Sequence, residues 1–375
     1  MSSGLTRPIR YNYKVIADSF QEAKGGDDQF SFLDPQADGQ DVPENAILLD
    51  PEALNLAWIS SIKGCLQNIH WYEAEEVCKQ LMQDVMERNG AGRILPDALK
   101  TADRSRKSKE LVETAVTIAI YIFPTASVER VKVLTRALVF LTLHDDVVQS
   151  TTRDSGRTAL ENTTNGANHS DTKVGSFAEF AAEARAVDPV LGDELVQAPL
   201  RWAKYTRNHS TDPQKTFDSF AEYMEFRMTD LGKEYIPSAS TISSLRLEAL
   251  NRRTRPFDAI QKLYIRHAAL INNLYSYENE RRECGATLLN AVHVLERLLG
   301  ISPDHAKNVI RTVVWDTEKQ LRAEYTRLVE LPGFYDEQQR YLKRIIESTV
   351  GNVMYSLTTY RYARLTGNLI GACLE

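Results

Sequence analysis

Three oxygen-bearing side chains recur at intervals of four residues in the segment NNLYSYENE, residues 272–280. They are Asn272, Ser276 and Glu280: an amide, a hydroxyl and a carboxylate. On an α-helix, residues four apart are rotated by only about 40° from one another, so the three side chains share one stripe. Hard oxygen ligands of this kind suit Mg²⁺, which completes its coordination shell with waters and substrate phosphates. The spacing indicates a magnesium site, and a polar stripe that faces solvent is the alternative.

A pair of adjacent aspartates forms a second candidate site. The segment LTLHDDVVQS, residues 141–150, runs from apolar residues into Asp145 and Asp146. Two neighbouring carboxylates repel each other and are costly to desolvate unless a cation lies beside them. A metal ion, an ion pair and an exposed turn or helix end each explain the pair.

The elements that carry these residues are helical. Apolar residues recur three and four positions apart in most of the chain, and alternating strand-like runs bounded by hairpin turns are missing. The longest segments of this kind are 73–90, 108–123, 127–146, 257–283 and about 336–369. Long helices of this kind pack around a shared centre. The sequence therefore predicts an all-α fold, and the lack of an internal repeat argues against a solenoid.

Polar segments mark the predicted domain boundaries. Residues 1–45 are polar and punctuated by Pro and Gly, which predicts a flexible N-terminal arm before one helical domain at 46–375. Residues 150–176 are rich in Ser, Thr, Asn and Gly and directly follow the aspartate pair. We expect a mobile surface loop there.

Composition argues against several classes of partner. The chain has 375 residues, a formal net charge of −6 and a pI near 5.8, so no basic field is available to bind a nucleic-acid backbone. The four cysteines lie far apart without a disulfide or CxxC pattern, as expected in a reducing compartment. The longest apolar run is too short to span a bilayer. We expect a cytoplasmic protein without stable membrane insertion, either a monomer or a homodimer.

Together the two polar motifs resemble the metal-binding elements of class I terpene cyclases. The Asp-rich motif of that family stands here as DDVVQ at 145–149, and its NSE motif stands as NNLYSYENE at 272–280, in the family's order and separation. The resemblance covers about residues 50–370 and leans toward single-domain fungal sesquiterpene synthases. It implies the class I terpene synthase fold, an antiparallel helical bundle around a central apolar cavity.

Two weaker motifs stand where the resemblance leads us to expect them. In EFRMTDLGKEY, Arg227 lies 45 residues before the NSE motif, and Asp230 follows three positions later. Arg227, Asp230 and the backbone of Leu231 resemble the family's diphosphate sensor on a broken helix. Arg361 and Tyr362 in TTYRYARL resemble its RY pair, which hydrogen-bonds the diphosphate. Taken alone, R-x-x-D is an ordinary surface pair and RY carries no information.

The Asp-rich motif and the second NSE position depart from the family pattern. Gln149 stands where relatives have an acid, so metal binding would rest on Asp145 with Asp146 as its hydrogen-bonding partner. Asn273 replaces the usual aspartate, a tolerable change because that side chain points about 100° away from the ligand stripe.

A third departure concerns the contact to the phosphate. Asn279 stands where many relatives have a phosphate-binding lysine. Arg281 and Lys262 are both candidates to supply the missing cation, and the sequence does not decide between them.

The resemblance implies a metal-assisted ionisation of a prenyl diphosphate. Three Mg²⁺ ions would be held by Asp145 on one helix and by Asn272, Ser276 and Glu280 on another. Arg227, Arg361 and Tyr362 would add charge-assisted hydrogen bonds to the diphosphate. The leaving diphosphate is then stabilised, so the allylic C–O bond ionises without a protein nucleophile.

The resulting carbocation needs a dry apolar cavity with aromatic faces. Four aromatic residues lie on helices that could line it: Tyr121, Phe123, Trp315 and Tyr355. Three further candidates share the helical face of Arg361: Met354, Leu357 and Thr358. Packing in the core explains each of these residues equally well. The loop at 150–176 would close over the site as a lid when metal and diphosphate bind.

The substrate expected from the resemblance is farnesyl diphosphate, with a medium-ring sesquiterpene of the humulene or germacrene type as one possible product. The chain lacks a DxDD motif and a second Asp-rich motif, which argues against protonation-initiated cyclisation and against chain elongation. Two alternatives stay open: a diterpene cyclase or other enzyme acting on a prenyl diphosphate, and a non-catalytic helical interaction protein.

Overall fold

The computed structural model describes the chain in separate stretches. They are residues 5–9, 42–88, 104–150, 175–208, 215–231, 239, 257–284 and 288–363. Within 128–150 the backbone is described throughout and the side chains up to Thr142. The loop predicted at 150–176 falls outside the described residues from 151 to 174.

Helices dominate the described chain and confirm the all-α prediction. They are α1 (Trp71–Arg88), α2 (Arg104–Ile122), α3 (Val128–Ser150), α4 (Gly175–Val187), α5 (Leu191–Asn208), α6 (Phe220–Asp230), α7 (Asp258–Cys284), α8 (Ala291–Leu299), α9 (Pro303–Val329), α10 (Asp336–Thr358) and α11 (Tyr360–Ala363). Four of them, α1, α2, α3 and α7, match the segments predicted from helical spacing closely. None of the helices in these stretches is both long enough and apolar enough to cross a bilayer.

Two short strands are the exception to the helical prediction. β1 (Ala46–Leu49) pairs antiparallel with β2 (Cys65–Asn68), and β2 is buried along its whole length. The Asn68 side-chain amide donates to the backbone oxygens of Phe123 and Ala126, at 3.2 and 2.8 Å. The strand pair therefore fixes the start of the domain against the turn between α2 and α3.

Part of the predicted N-terminal arm packs on this strand pair. The Gln67 amide donates to the backbone oxygen of Leu5 at 3.0 Å, and its oxygen accepts from the backbone N–H of Arg7 at 3.2 Å. The Arg7 guanidinium also donates to Thr117 on α2. Gln67 is fully buried, and a buried amide requires such partners. Residues 5–9 are thus anchored, which differs from the predicted flexible arm, whereas residues 10–41 lie outside the described part.

The aspartate pair does not end its helix, in contrast to the sequence prediction. α3 continues to Ser150, beyond both Asp145 and Asp146. The physical reason lies in the apolar spacing, because Val147 follows Leu143 by four positions and so continues the same helical face. The two carboxylates are therefore carried on helical backbone.

α7 is the central helix of the bundle. It packs against α6, α8, α9 and α10, and from His267 to Tyr277 nearly every side chain is buried. A helix buried on nearly all sides cannot turn its polar groups to solvent, so its amides and hydroxyls need partners inside the protein. Ser276 is only 6% exposed, which excludes a fully solvent-facing stripe.

The last long helix ends earlier than predicted. α10 stops at Thr358, Thr359 is extended with φ −96° and ψ 135°, and the short α11 follows. The hydroxyls of Thr358 and Thr359 donate to the carbonyl oxygens of Met354 and Tyr355, and such bonds weaken and bend a helix. The predicted common helical face is therefore wrong for Arg361, which lies on α11, whereas Met354, Leu357 and Thr358 remain together on α10.

α2 and α10 cross at very close range, where Gly351 lies against the backbone of Tyr121. A Cβ atom at position 351 would lie 1.8 Å from the Tyr121 carbonyl oxygen. We expect Gly351→Ala to lower the free energy of unfolding by about 3 kcal/mol, because backbone rather than a movable side chain blocks the added methyl. Denaturant unfolding followed by circular dichroism measures this loss.

Gly300→Asn serves as the control for this crossing. Gly300 ends α8 with φ +64° and has no heavy atom within 4 Å of an added Cβ, and asparagine tolerates that backbone conformation. The substitution Gly300→Asn is expected to lower the free energy of unfolding by about 1 kcal/mol or less. Equal stability of Gly351→Ala and the parent protein would contradict the described crossing of α2 and α10.

Candidate functional site

Arg227 lies near the end of the short helix α6. The helix begins after Ser219, whose hydroxyl accepts from the backbone N–H of Glu222 at 3.1 Å, the favoured N-cap arrangement. It ends at Asp230, and the N–H of Leu231 donates to the carbonyl oxygen of Arg227 at 2.9 Å. Arg227 and Asp230 are thus brought together one turn apart at the helix end.

A chain of hydrogen bonds joins three of the four sequence motifs. Arg227 Nη1 donates to Asp230, and Arg227 Nη2 donates to Asn272 Oδ1 at 2.7 Å. Asn272 Nδ2 in turn donates to the Tyr362 hydroxyl at 2.8 Å. The chain Asp230–Arg227–Asn272–Tyr362 therefore connects α6, α7 and α11. An ordinary surface pair does not explain Arg227, whose side chain is only 16% exposed and contacts a second helix.

Burial and neighbouring charges determine the protonation states of Arg227 and Tyr362 in this series of hydrogen bonds. Burial alone would lower the pKa of Arg227, but the negative charges of Asp230 and Glu280 raise it above its ordinary value. The guanidinium therefore stays charged. Burial raises the pKa of the Tyr362 phenol, so its hydroxyl stays protonated at neutral pH. This series of hydrogen bonds thus contains a fixed cation, Arg227, and a neutral hydroxyl, Tyr362.

The Nε–H donor of Arg227 is left unsatisfied in the part of the chain that the structure describes. This Nε atom is buried. Leaving a buried donor of a charged group unsatisfied is costly, and a guanidinium matches the oxygens of a phosphate well. The arrangement fits an anionic ligand with phosphate oxygens.

The predicted metal ligands on α7 offer oxygen atoms only. Ser276 is buried, Asn272 and Glu280 are half-buried, and all three lie on one uninterrupted helix as their spacing requires. Within the described stretches, no cluster of three or more His, Cys, Asp or Glu residues could hold a metal ion. The amide, hydroxyl and carboxylate fit a hard cation such as Mg²⁺ better than zinc, which prefers nitrogen and sulfur ligands.

Asn290 is a site residue that sequence reasoning missed. It is fully buried and is the N-cap of α8, where its Oδ1 accepts from the backbone N–H of Val292 at 2.9 Å. Its Nδ2 donates to Glu280 Oε2 at 2.8 Å and to the Asn273 carbonyl oxygen at 2.9 Å. An asparagine before an apolar helical run is an N-cap signal in the sequence, but the contact with α7 is not visible there.

Asn273 has structural partners rather than a metal-binding role. Its Oδ1 accepts from the Tyr223 hydroxyl and from the backbone N–H of Ala291 at 2.8 Å, and its Nδ2 donates to the Ala269 carbonyl oxygen at 2.7 Å. All four groups are buried. Asn273, which stands where the family usually has an aspartate, therefore lies in a contact between α6, α7 and α8. This position agrees with the expectation that its side chain points away from the ligand stripe.

Asn279 contacts the backbone of the RY pair. Its Nδ2 donates to the carbonyl oxygen of Arg361, and its buried Oδ1 has no partner among the described residues. An asparagine at the lysine position of the family thus holds α11 against α7. The RY pair is therefore joined to α7 at two points. Asn279 bonds the backbone of Arg361, and Asn272 bonds the hydroxyl of Tyr362.

The two cations proposed to replace the lysine are engaged elsewhere. Lys262 lies at an exposed position and pairs with Glu225 at 2.6 Å. Arg281 is exposed and lies over the ring of Tyr277, 5.7 Å from its centre. Among the described residues, neither side chain forms a hydrogen bond to Asp230, Arg227, Asn272 or Tyr362, the four members of the hydrogen-bonded series.

The Asp-rich motif is described at the level of its backbone. Asp145, Asp146 and Gln149 all lie on the last two turns of α3, and their side chains are outside the described part. Its role as a metal ligand stays a prediction.

The cavity candidates are mostly buried. Tyr121, Phe123, Met354, Tyr355, Leu357 and Thr358 are each less than a tenth exposed. Tyr355 packs edge-on against Tyr362, with ring centres 5.7 Å apart. Trp315 donates from its indole N–H to the Ile59 carbonyl oxygen at 2.8 Å, and Arg311 lies over its ring. That these residues line a cavity stays a prediction.

Comparison with known proteins identifies relatives of this chain. The family described as terpene synthase family 2, C-terminal metal binding, matches residues 136–320. The terpene cyclase aneC of Aspergillus aculeatus is 45% identical, over 97% of this chain and 84% of its own length. Terpene cyclase 6 of Gibberella fujikuroi is 32% identical, over 87% of this chain and 88% of its own length.

A solved structure has a similar fold. Aristolochene synthase from Penicillium roqueforti superposes with a TM-score of 0.59, covering 75% of this chain and 95% of that chain. The two sequences are 19% identical, so this likeness concerns the fold alone.

Proposed function

The chain belongs to the class I terpene cyclases, and from that membership we propose that it is a magnesium-dependent sesquiterpene cyclase acting on farnesyl diphosphate. The observation that carries the proposal is the hydrogen-bond chain Asp230–Arg227–Asn272–Tyr362. It joins residues separated by 45 and 90 positions in the sequence, all drawn from motifs expected to bind one diphosphate. Helical polar stripes that serve only as surface would not converge in this way.

The metal is proposed to bind on the stripe of α7. Asn272, Ser276 and Glu280 would hold one Mg²⁺, and Asp145 on α3 would hold others, with three ions expected from the family. When bound, magnesium stabilises the negative charge that develops on the leaving diphosphate. The oxygen-only donor set on α7 supports this assignment.

The cationic and hydroxyl groups of this chain are proposed to hold the diphosphate. The Arg227 guanidinium, kept charged by Asp230, would donate to a phosphate oxygen through its Nε–H, which has no partner among the described residues. The Tyr362 hydroxyl and the Arg361 side chain would add donors from α11. These donors stabilise charge on the leaving group, so the allylic C–O bond breaks without a protein nucleophile.

The hydrocarbon is proposed to fold within the bundle. Tyr121, Phe123, Trp315 and Tyr355 are the aromatic candidates whose faces would stabilise positive charge, and Met354, Leu357 and Thr358 are further wall candidates. A dry enclosure prevents water from trapping the carbocation. The contour of this enclosure decides the product, with medium-ring humulene or germacrene types as the expected class.

A panel of prenyl diphosphates tests the proposal. Purified protein is incubated with the ten-, fifteen- and twenty-carbon diphosphates, with magnesium or with a chelator, and organic extracts are analysed by gas chromatography with mass detection. We expect a magnesium-dependent fifteen-carbon product, with kcat/KM for farnesyl diphosphate roughly 10-fold or more above the others.

Each other outcome of the panel has a definite meaning. A twenty-carbon product alone would replace the proposal by a diterpene cyclase. Recovery of every substrate unchanged, in the presence of magnesium, would overturn the proposed activity on prenyl diphosphates of these three lengths.

A further inference from the structure

Asn290 holds two structural elements together at the candidate metal site. Its Oδ1 caps α8 through the N–H of Val292, and this acceptor role fixes which side-chain atom is nitrogen. Its Nδ2 therefore faces α7. An amide nitrogen has two hydrogens, and these are directed to Glu280 Oε2 at 2.8 Å and to the Asn273 carbonyl oxygen at 2.9 Å.

These contacts fix the orientation of the Glu280 carboxylate. Asn290 is completely buried, and it also approaches Ser276 Oγ at 3.4 Å, so one amide contacts two of the three predicted ligands on α7. Glu280 is half-buried, and among the described residues its Oε1 accepts no hydrogen bond. Holding Oε2 in this way leaves Oε1 for a cation.

We infer that Asn290 is a positioning residue for the metal site, orienting Glu280 and Ser276 from the N-terminus of α8. This inference rests on the proposed function, because it assigns Glu280 and Ser276 as ligands of Mg²⁺. Groups that hydrogen-bond metal ligands fix their orientation, and their loss weakens metal binding roughly 10- to 100-fold. The sequence motifs of the metal site do not include Asn290.

The surroundings of Asn290 make its orientation rigid. The Asn273 side chain on α7 accepts from the backbone N–H of Ala291, the residue after Asn290. Tyr223 on α6 donates to the same Asn273 oxygen. α8 is thus fastened to α7 at two successive residues, so a change at Asn290 alone removes the contact to Glu280 while Ala291 keeps α8 in place.

Asn290→Ser is the test variant. Serine caps a helix as well as asparagine does, but its short side chain cannot reach Glu280. Thermal unfolding is measured while Mg²⁺ is titrated in the presence of inorganic diphosphate, without any prenyl substrate. We expect the magnesium midpoint of the stabilisation to rise roughly 10-fold, since binding to the folded state sets that response.

A steady-state measurement distinguishes positioning from a general loss of structure. At saturating magnesium, Asn290→Ser is expected to recover most of the parent kcat, while the magnesium concentration for half-maximal rate rises by a similar roughly 10-fold factor. Asn290→Thr, which also retains a capping oxygen and is close to asparagine in volume, replaces the serine variant if that variant does not fold.

Ser302→Ala is the matched control for loss of a helix cap. Ser302 caps α9, where its Oγ accepts from the backbone N–H of His305 at 3.4 Å. This variant is expected to unfold at a lower temperature with an unchanged magnesium midpoint.

Two results would overturn the inference, and they are distinguishable. An unchanged midpoint in Asn290→Ser, with a parent protein that responds to magnesium and forms product, would show that Asn290 is only a cap. A parent protein that neither responds to magnesium with diphosphate nor forms product would remove the proposed function and this inference together.

Discussion

Glu280→Gln is expected to lower kcat/KM for the prenyl diphosphate roughly 10²- to 10³-fold. The substitution keeps the size of the side chain but removes the negative charge from the one carboxylate on the polar stripe of α7. A neutral amide is a weaker ligand for Mg²⁺, and it also loses the charge that attracts Arg227. Steady-state kinetics at several magnesium concentrations measure the loss, and circular dichroism checks that the fold is retained.

Glu278→Gln is a closely matched control for that experiment. Glu278 lies on the same helix two positions earlier and pairs with Lys307 at 2.6 Å, away from the stripe. Its substitution removes one charge from α7 without touching the predicted ligands. Because Lys307 is only 8% exposed, loss of its partner is expected to lower the free energy of unfolding, whereas kcat/KM of the folded protein stays within about threefold of the parent value. Equal losses in the two variants would contradict a specific role for Glu280.

Arg227→Lys is expected to lower kcat/KM roughly 10²-fold although the positive charge is retained. The arginine donates to Asp230 and Asn272 at once, and its Nε has no partner in the described stretches. A lysine ammonium is a single point of charge and cannot span this geometry. Kinetics with the prenyl diphosphate, combined with inhibition by inorganic diphosphate, measure both the rate and the affinity.

Arg327→Lys is the control for the arginine substitution. Arg327 pairs with Glu324 through two hydrogen bonds at an exposed position of α9, again three residues apart in the sequence. Exposed pairs of this kind contribute little, so we expect no change in kinetics. If Arg227→Lys were as active as Arg327→Lys, the assignment of Arg227 as a diphosphate-binding residue would fail.

The sequence predicted those parts of the site that depend on local periodicity. Residues Asn272, Ser276 and Glu280 fall on one uninterrupted helix, because a spacing of four residues has the same meaning in any α-helix. Arg227 and Asp230, three positions apart, form an ion pair at the end of α6, and their role as a diphosphate sensor stays a prediction from the resemblance. The positions of α1, α2, α3 and α7 followed from apolar residues three and four apart.

The contacts between helices were not accessible from the sequence. Asn290 and Tyr223 contact α7 only because α8 and α6 pack beside it, and no spacing within one segment encodes that neighbourhood. The docking of residues 5–9 on Gln67 has the same origin. The break at Thr359 was missed because helical spacing continues through it, whereas two adjacent threonine hydroxyls bond the preceding turn.

A crystal structure with Mn²⁺ and an unreactive diphosphate would test the central claim most directly, because manganese is located by its anomalous scattering. The account predicts a metal ion bound directly by oxygens of Asn272, Ser276 and Glu280, with phosphate oxygens in hydrogen-bond contact with Arg227 and Tyr362. Anomalous peaks away from all three side chains, or a diphosphate bound without contact to Arg227, would contradict it.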